Sequence, residues 1–315
     1  VVPKLVQAAA VLLAVAVLTS CAGHPAAPPP DGTGPYAGVP VPQAVPVTAA
    51  PALAQDFTLP VDAYELTSQQ QALVQNARNS LTDSCLRRFG LSGDLPTVFR
   101  ATTPPNAFRY GPVDLGQAAD GYHWMKDQGR RQNPHLDADQ SFSPVELDVL
   151  SGKGPREVHG LPVPQGGCAG EADRALAAGG GSTSEPVLAE QIDDSYTQSQ
   201  SSPQVQRVFR EWSACMARHG YDYATPTGPS EDPHLLPAPS SPDPGPSGKE
   251  IAVARADVAC KDSVDLVAVW SSVEAAMQRQ AIQRHAGQLR TLQRQNAVTV
   301  RNAAAVLAAA GGTSN

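Results

Sequence analysis

Five cysteines, seven histidines and thirty acidic residues are the chemical resources of this 315-residue chain. Their spacing matches none of the common catalytic constellations. The chain has no Gly-x-Ser-x-Gly elbow, no Ser-x-x-Lys pair, no His-Glu-x-x-His helix and no Walker loop. The run Gly179-Gly180-Gly181-Ser182 follows a helical segment instead of opening one, so it reads as a flexible linker and not as a phosphate cradle. Asp137-Ala138-Asp139-Gln140-Ser141 begins like a calcium loop. Phe142, however, stands where that loop needs glycine, and Asp148 replaces its bidentate glutamate, so a solvated turn is the better reading. Asp193-Asp194 offers paired carboxylates for acid–base work, or simply a solvated helix face.

The histidines His24, His123, His135, His159, His219, His234 and His285 are dispersed. His123, between Tyr122 and Trp124, could line a ligand pocket, but packing against the helix that bears Cys85 is the simpler expectation. His219 suits a helix C-terminus, where a cation meets the negative end of the dipole. No catalytic residue, metal ligand or cofactor site follows from these patterns.

Cys21 has a different chemistry. Lys4 precedes a run from Leu5 to Leu18 that only Gln7 interrupts, and Leu18-Thr19-Ser20-Cys21 ends it. A basic start, an apolar run too short for a bilayer and small residues before a cleavage point describe a secretory signal. With cysteine after the scissile bond, the segment resembles the lipobox of bacterial lipoproteins. The resemblance implies that Cys21 becomes a diacylglyceryl thioether and the new N-terminus; an ordinary signal with an incidental cysteine is the alternative. Two acyl chains anchor stably where one does not. Val1 fits a non-ATG start translated literally. The formal charge of −7 becomes −8 once Lys4 leaves with the signal, and so negative a chain is a poor partner for nucleic acid. Arginine outnumbers lysine 18 to 5, a bias that suggests a high-GC, actinobacterial source.

The other four cysteines, Cys85, Cys168, Cys215 and Cys260, are an even number in an exported chain and read as two disulfides. Four cysteines allow three connectivities. Cys85-Leu86-Arg87-Arg88-Phe89-Gly90 and Cys215-Met216-Ala217-Arg218-His219-Gly220 share a Cys-x-x-x-x-Gly frame. Each closes an amphipathic segment, and each is followed by another cysteine. A duplicated unit would pair Cys85 with Cys168 and Cys215 with Cys260; chance convergence of two helix ends is the competing account.

The elements that hold these cysteines read as helices. Leu73, Ala77, Leu81, Cys85 and Phe89 form one stripe over Gln69–Phe89, and Val205, Val208, Phe209, Trp212, Cys215 and Met216 form another over Val205–His219. Ser143-Pro144-Val145-Glu146 is a capping box that opens a short helix ending near Gly152. Further helices are expected from Cys168 to Gly179, from Ile251 to Cys260 with a break near Lys261-Asp262-Ser263, and from Val264 to Ala308. The last would extend about 65 Å if unbroken, with Gly287 its weakest point. Its stripe (Leu266, Trp270, Val273, Met277, Ala281, His285, Leu289, Leu292, Asn296, Val300, Ala303, Leu307) suits packing on its own domain; a coiled-coil or partner-docking helix is the other reading, weakened by His285 and Asn296 in the stripe.

Eighteen of the thirty prolines lie in residues 22–60 and 225–247. The first stretch cannot bury enough apolar surface to offset its ordering entropy. As a polyproline II stalk it would reach at most about 120 Å. The expected organisation is a signal over 1–20, a lipid-anchored stalk over 21–62 and a first helical half over 63–200. A second half spans 201–224 and 248–310, with a proline-rich loop over 225–247.

Arg109-Tyr110-Gly111, Gly121-Tyr122-His123, the stretch Val163 to Ala172, Ala256-Asp257-Val258-Ala259-Cys260 and the two Cys-x-x-x-x-Gly phrases together resemble a family of uncharacterised actinobacterial secreted lipoproteins. The resemblance runs in patches over residues 65–300. It implies the location and the cysteine scaffold, but carries no activity. Where it leads one to expect Gly-Leu after the last cysteine, this chain has Asp265-Leu266.

The sequence therefore predicts a mainly α protein: two disulfide-stapled helical halves and a long C-terminal helix, behind a signal peptide and a proline-rich disordered stalk. Its expected place is the extracellular face of the cell membrane. Its expected role is that of a non-catalytic envelope interaction or accessory module, with the membrane and an envelope protein docked on the C-terminal helix as partners. A transporter-associated ligand-binding lipoprotein and an envelope hydrolase are the rival classes.

Overall fold

A computed structural model of the chain describes residues 41–48, 57–92, 95, 106–123, 142–180, 194–236 and 245–312. The fold is mainly helical. A 3-10 turn at Pro60–Tyr64 leads into α1, Ser68–Arg88, and is followed by α2, Leu115–Ala119, and α3, Pro144–Ser151. A hairpin of two-residue strands, β1 at Glu157–Val158 and β2 at Leu161–Pro162, precedes α4, Gly167–Ala177. Then come α5, Ser195–Ser199; α6, Pro203–Arg218; α7, Gly228–Glu231; α8, Gly248–Ser263; α9, Leu266–Arg284; and α10, Ala286–Gly312.

Local chemistry explains where the helices begin. Thr67, Ser143 and Ser247 each accept a bond from the backbone N–H three residues on, and Gln70, Glu146 and Glu250 reach back in return. The two Cys-x-x-x-x-Gly phrases end their helices alike. Leu91 N–H donates to the Leu86 carbonyl at 3.1 Å, and Tyr221 N–H donates to the Met216 carbonyl at 3.0 Å. This six-residue closure turns the chain back at the glycine and explains the shared spacing.

The disulfides join Cys85 to Cys168 and Cys215 to Cys260, each with Cα atoms 5.6 Å apart. Their second cysteines differ in setting, since Cys168 lies in the first turn of α4 and Cys260 in the last turn of α8. The echo is thus one of helix ends.

The expected single helix from Val264 to Ala308 is two helices. It breaks at His285, not at Gly287, and the break that precedes it falls at Val264-Asp265, beyond Lys261-Asp262-Ser263. Asp265 has φ +53°, in the left-handed region. Aspartate enters that region more readily than most residues, which is how it serves where glycine is expected. The kink at His285 divides the labour. Leu266, Trp270, Val273, Met277 and Ala281 of α9, with Leu289 and Leu292 of α10, enter the largest core, while Ala303 packs with Ala77 of α1 and Leu176 of α4. The apolar stripe is covered by the chain's own elements, so a partner would have to displace them to use it.

The cores do not follow the division at residue 200. Tyr110, Val113, Ala118 and Tyr122, assigned to the first half, are buried among α6, α8 and α9. The end of α10 instead packs on α1 and α4. Two stretches expected to be unstructured also join the body in part. Residues 41–48 lie on α6 and α9, and Val61 is buried, so the stalk assigned to 21–62 ends earlier. Within the loop assigned to 225–247, Leu235 is buried, and Asp232 accepts a bond from the Tyr223 hydroxyl at 2.9 Å.

Candidate functional site

The polar chemistry of the fold is concentrated where residues 106–123 lie against α8 and α9. Glu250, Asp257 and Lys261 fall at intervals of seven and four on α8, which puts them on one face, and Glu274 and Gln278 are one turn apart on α9. All five are at most 1% exposed. Charges this deep persist only where internal partners replace water.

Asp257 is the best supplied. One of its oxygens accepts from the Trp212 indole at 2.9 Å; the other accepts from the Tyr122 hydroxyl at 3.0 Å and the Lys261 ammonium at 2.8 Å. Lys261 also donates to the Pro112 carbonyl at 3.0 Å. Glu274 accepts from Arg109 Nε and the Ser195 hydroxyl, both at 2.9 Å, and from the Tyr110 hydroxyl at 2.7 Å. Ser195 in turn accepts from Gln278, whose Oε1 takes the Val61 N–H at 3.1 Å. Glu250 completes its capping box, accepts from the Tyr122 N–H at 2.6 Å and lies 2.9 Å from His123 Nε2.

Two glycines permit this approach. Gly111 and Gly121 have φ of +75° and +60°, and a Cβ built on them would meet Lys261 Nζ at 2.8 Å and Glu250 Oε1 at 2.3 Å. The backbone turns left-handed there and comes directly against a charged side chain, which only glycine allows without strain. The phrases Arg109-Tyr110-Gly111, Gly121-Tyr122-His123 and Ala256-Asp257 thus meet in one buried seam.

Burial governs the electrostatics. Desolvation pushes the Asp257 carboxyl above its ordinary range, outweighing the Lys261 ammonium and the hydrogen bonds from Trp212 and Tyr122. Desolvation also raises Glu274, against the pull of Arg109 and the donors Tyr110 and Ser195. The phenols follow the same rule: Tyr110 and Tyr122 are raised well above their usual value, and Tyr196 is pushed up to about 12. Raised carboxyl groups are a mark of catalytic acids. Here the carboxylate oxygens accept from internal donors and are closed to solvent, so the arrangement locks helices together.

The residues singled out in sequence fall elsewhere or change neighbours. Cys21, His24, His135, Trp124, Asp193 and Asp137 to Ser141 lie outside the described residues. Tyr122 and His123 pack on α8, not on the Cys85 helix, because Glu250 and Asp257 supply their polar partners. Asp194 is exposed before α5, and Gly179 and Gly180 follow α4. His219 caps the end of α6, with its ring near the Cys215 and Cys260 sulfurs. Those three side chains could gather a metal, but the two sulfurs are bonded to each other and present no thiolate.

The sequence reading missed Glu250, Asp257, Lys261 and Glu274. The available signal was their heptad-like spacing among alanines and valines, opposite glycines adjoining tyrosines. No family model, curated protein or solved structure matches the chain.

Proposed function

We propose that this chain is an extracytoplasmic lipoprotein, held on the outer face of the cell membrane through Cys21, and that its helical body is a non-catalytic interaction or accessory module. The observation that carries the reading is the pairing of Cys85 with Cys168 and Cys215 with Cys260 in a chain whose fifth cysteine ends a signal-like segment. Disulfides of this kind persist in oxidising compartments. The resemblance to secreted actinobacterial lipoproteins points the same way. No helix among the described residues is long and apolar enough to cross a membrane.

The buried seam supports the non-catalytic part. Its charges are spent on holding α8 and α9 to residues 106–123, and binding would use the outer surface. A solute-binding role has less support, because the described residues contain one short hairpin where such proteins alternate strands and helices.

Metabolic labelling with an alkyne palmitate tests the anchor. Label and membrane fractionation are expected in the native chain and lost in Cys21→Ala; label that survives the substitution refutes the anchor. Crosslinking in intact cells tests the role. A specific envelope partner is expected, and recovery of monomer alone counts against the module.

A further inference from the structure

Residues 275–315 hold five arginines and no acidic residue. They carry +5 in a chain whose total is −7, so the residues before them stand at −12. Charge segregated this sharply points to a partner of the opposite sign.

The helix α10 turns that segregation into a surface. At about 100° per residue, Arg290, Arg294 and Arg301 fall within about 40° of arc and along about 16 Å of helix. All three are exposed. Gly287, Ala297, Ala304 and Ala308 complete the same exposed face, and none is long enough to screen a guanidinium. The opposite face is committed to the fold, where Ala303, Val306 and Leu307 pack with Leu73, Ala77 and Leu176.

The elements packed on α10 do not supply the missing anions. Asp83 pairs with Arg87, Glu171 with Arg88 and Asp173 with Arg78, each at 2.7 Å. Asp62 accepts from the Leu59 N–H and from Asn106, and Glu274 is buried against Arg109. Glu65, just past the 3-10 turn, is engaged as well. Among the described residues no carboxylate pairs with Arg290, Arg294 or Arg301; Arg294 bonds only Thr291 of its own helix.

The same face tells what kind of anion fits. A stable protein interface is built around buried aromatic or aliphatic anchors, and here every side chain but the arginines stops at Cβ or earlier. The large exposed apolar residues, Val47, Leu115, Val145, Leu147 and Leu161, lie elsewhere in the chain. The charge of −12 on the rest of the chain disfavours nucleic acid. A flat array of phosphates asks for no pocket, only for guanidinium forks held in line.

We propose that Arg290, Arg294 and Arg301 dock α10 on an anionic phospholipid surface. The proposal takes its setting from the membrane-anchored reading above. No apolar side chain on this face is free to insert, so the body adsorbs by charge, each arginine strengthens binding about fivefold, and salt screens the effect. The anchor sets how far the body stands from the bilayer, and the stripe sets which face it turns toward it.

The test uses the full chain carrying Cys21→Ala, which separates the stripe from the anchor, and vesicles of phosphatidylcholine with or without phosphatidylglycerol. Sedimentation is expected to show at least tenfold tighter binding to the anionic vesicles, lost in high salt. Replacing Arg290, Arg294 and Arg301 together by glutamine is expected to remove at least tenfold of that binding. Lysine at the three positions is expected to retain most of it. The exposed Arg207, Arg210 and Arg255 serve as the control, and their replacement by glutamine is expected to leave binding unchanged. Equal binding to both kinds of vesicle overturns the proposal without recourse to variants. An equal loss in the control triple overturns it in favour of net charge, and tighter capture of polyglutamate or of RNA than of anionic vesicles overturns the choice of lipid. Failure here with palmitate labelling of Cys21 intact rejects the stripe and leaves the anchor standing.

Discussion

Lys261 lies one helical turn beyond Asp257, and its ammonium, 2.8 Å from the carboxylate, is as deeply buried as the carboxylate itself. Neither charge has water to fall back on. Lys261→Met would leave Asp257 with two neutral donors and no counter-charge, and is expected to cost about 3–5 kcal/mol. Asp257→Asn should cost less in the Lys261→Met background than alone. Urea denaturation of the four proteins measures the coupling, and additive losses would mean that the two residues do not act as a pair.

The same burial sets the response to pH. Asp257 and Glu274 titrate above their ordinary range, so they contribute stability that is present at and below that range and lost as pH rises through their folded values. Glu146 and Asp232 are shifted down by backbone N–H donors and act in the opposite sense, but both lie near the surface, partly open to solvent, and are screened. The Tm is therefore expected to hold or rise as pH falls from 7 toward the carboxylate range, and Asp257→Asn should shrink the rise. At the alkaline end Tyr196, pushed up to about 12, contributes stability lost above its ordinary value of 10.0. Melting curves across the range check both limbs. A Tm that falls steadily on acidification, unchanged by Asp257→Asn, contradicts the assignment.

Three left-handed glycines rank by what surrounds them. Around Gly90, at φ +72°, there is open space, so Gly90→Ala should cost only the conformational penalty, about 1 kcal/mol. Gly111→Ala adds a contact with the flexible end of Lys261 and should cost more. Gly121→Ala drives a methyl into the buried Glu250 carboxylate and the Tyr122 N–H it holds; about 3 kcal/mol is expected. A reversed order in chemical denaturation would mean that the seam yields more readily than its burial implies.

The disulfides close segments of 83 and 45 residues. In the chain-entropy account, removing them costs about 4.5 and about 4 kcal/mol. For a body of this size each double alanine variant should melt roughly 10 °C lower. Peptide mapping without reduction should recover Cys85–Cys168 and Cys215–Cys260, and a Cys85–Cys215 peptide would refute the pairing.

What was legible in the sequence was whatever has a period or a local code. The stripe from Leu266 to Leu307 declares itself because apolar residues recur every three or four positions, and the Cys-x-x-x-x-Gly frame because a helix end has a fixed geometry. The seam was not legible for the complementary reason. Glu250, Asp257 and Lys261 look like solvated charges on a helix, and only the arrival of Tyr122, Trp212 and Pro112 from distant segments makes them interior. The seating of residues 41–48 was hidden by composition. Prolines in residues 22–60 argue against a packed core, yet a short segment needs no core of its own, only a few side chains such as Ser202 and Gln204 that bond its backbone. The kink at His285 left no local signal, since both flanks keep the helical repeat.

Seating residues 41–48 also changes how the body explores its surroundings. With Cys21 in the membrane, as proposed, residues 22–40 separate the lipid from the described body. The greatest length so short a span can have is about 60 Å, half that of a stalk running to residue 60. The half-sphere that the body can sweep shrinks with the cube of that length, about eightfold. A membrane-bound target inside it meets the body at a correspondingly higher local concentration, and anything beyond about 60 Å is out of range unless residues 41–48 let go.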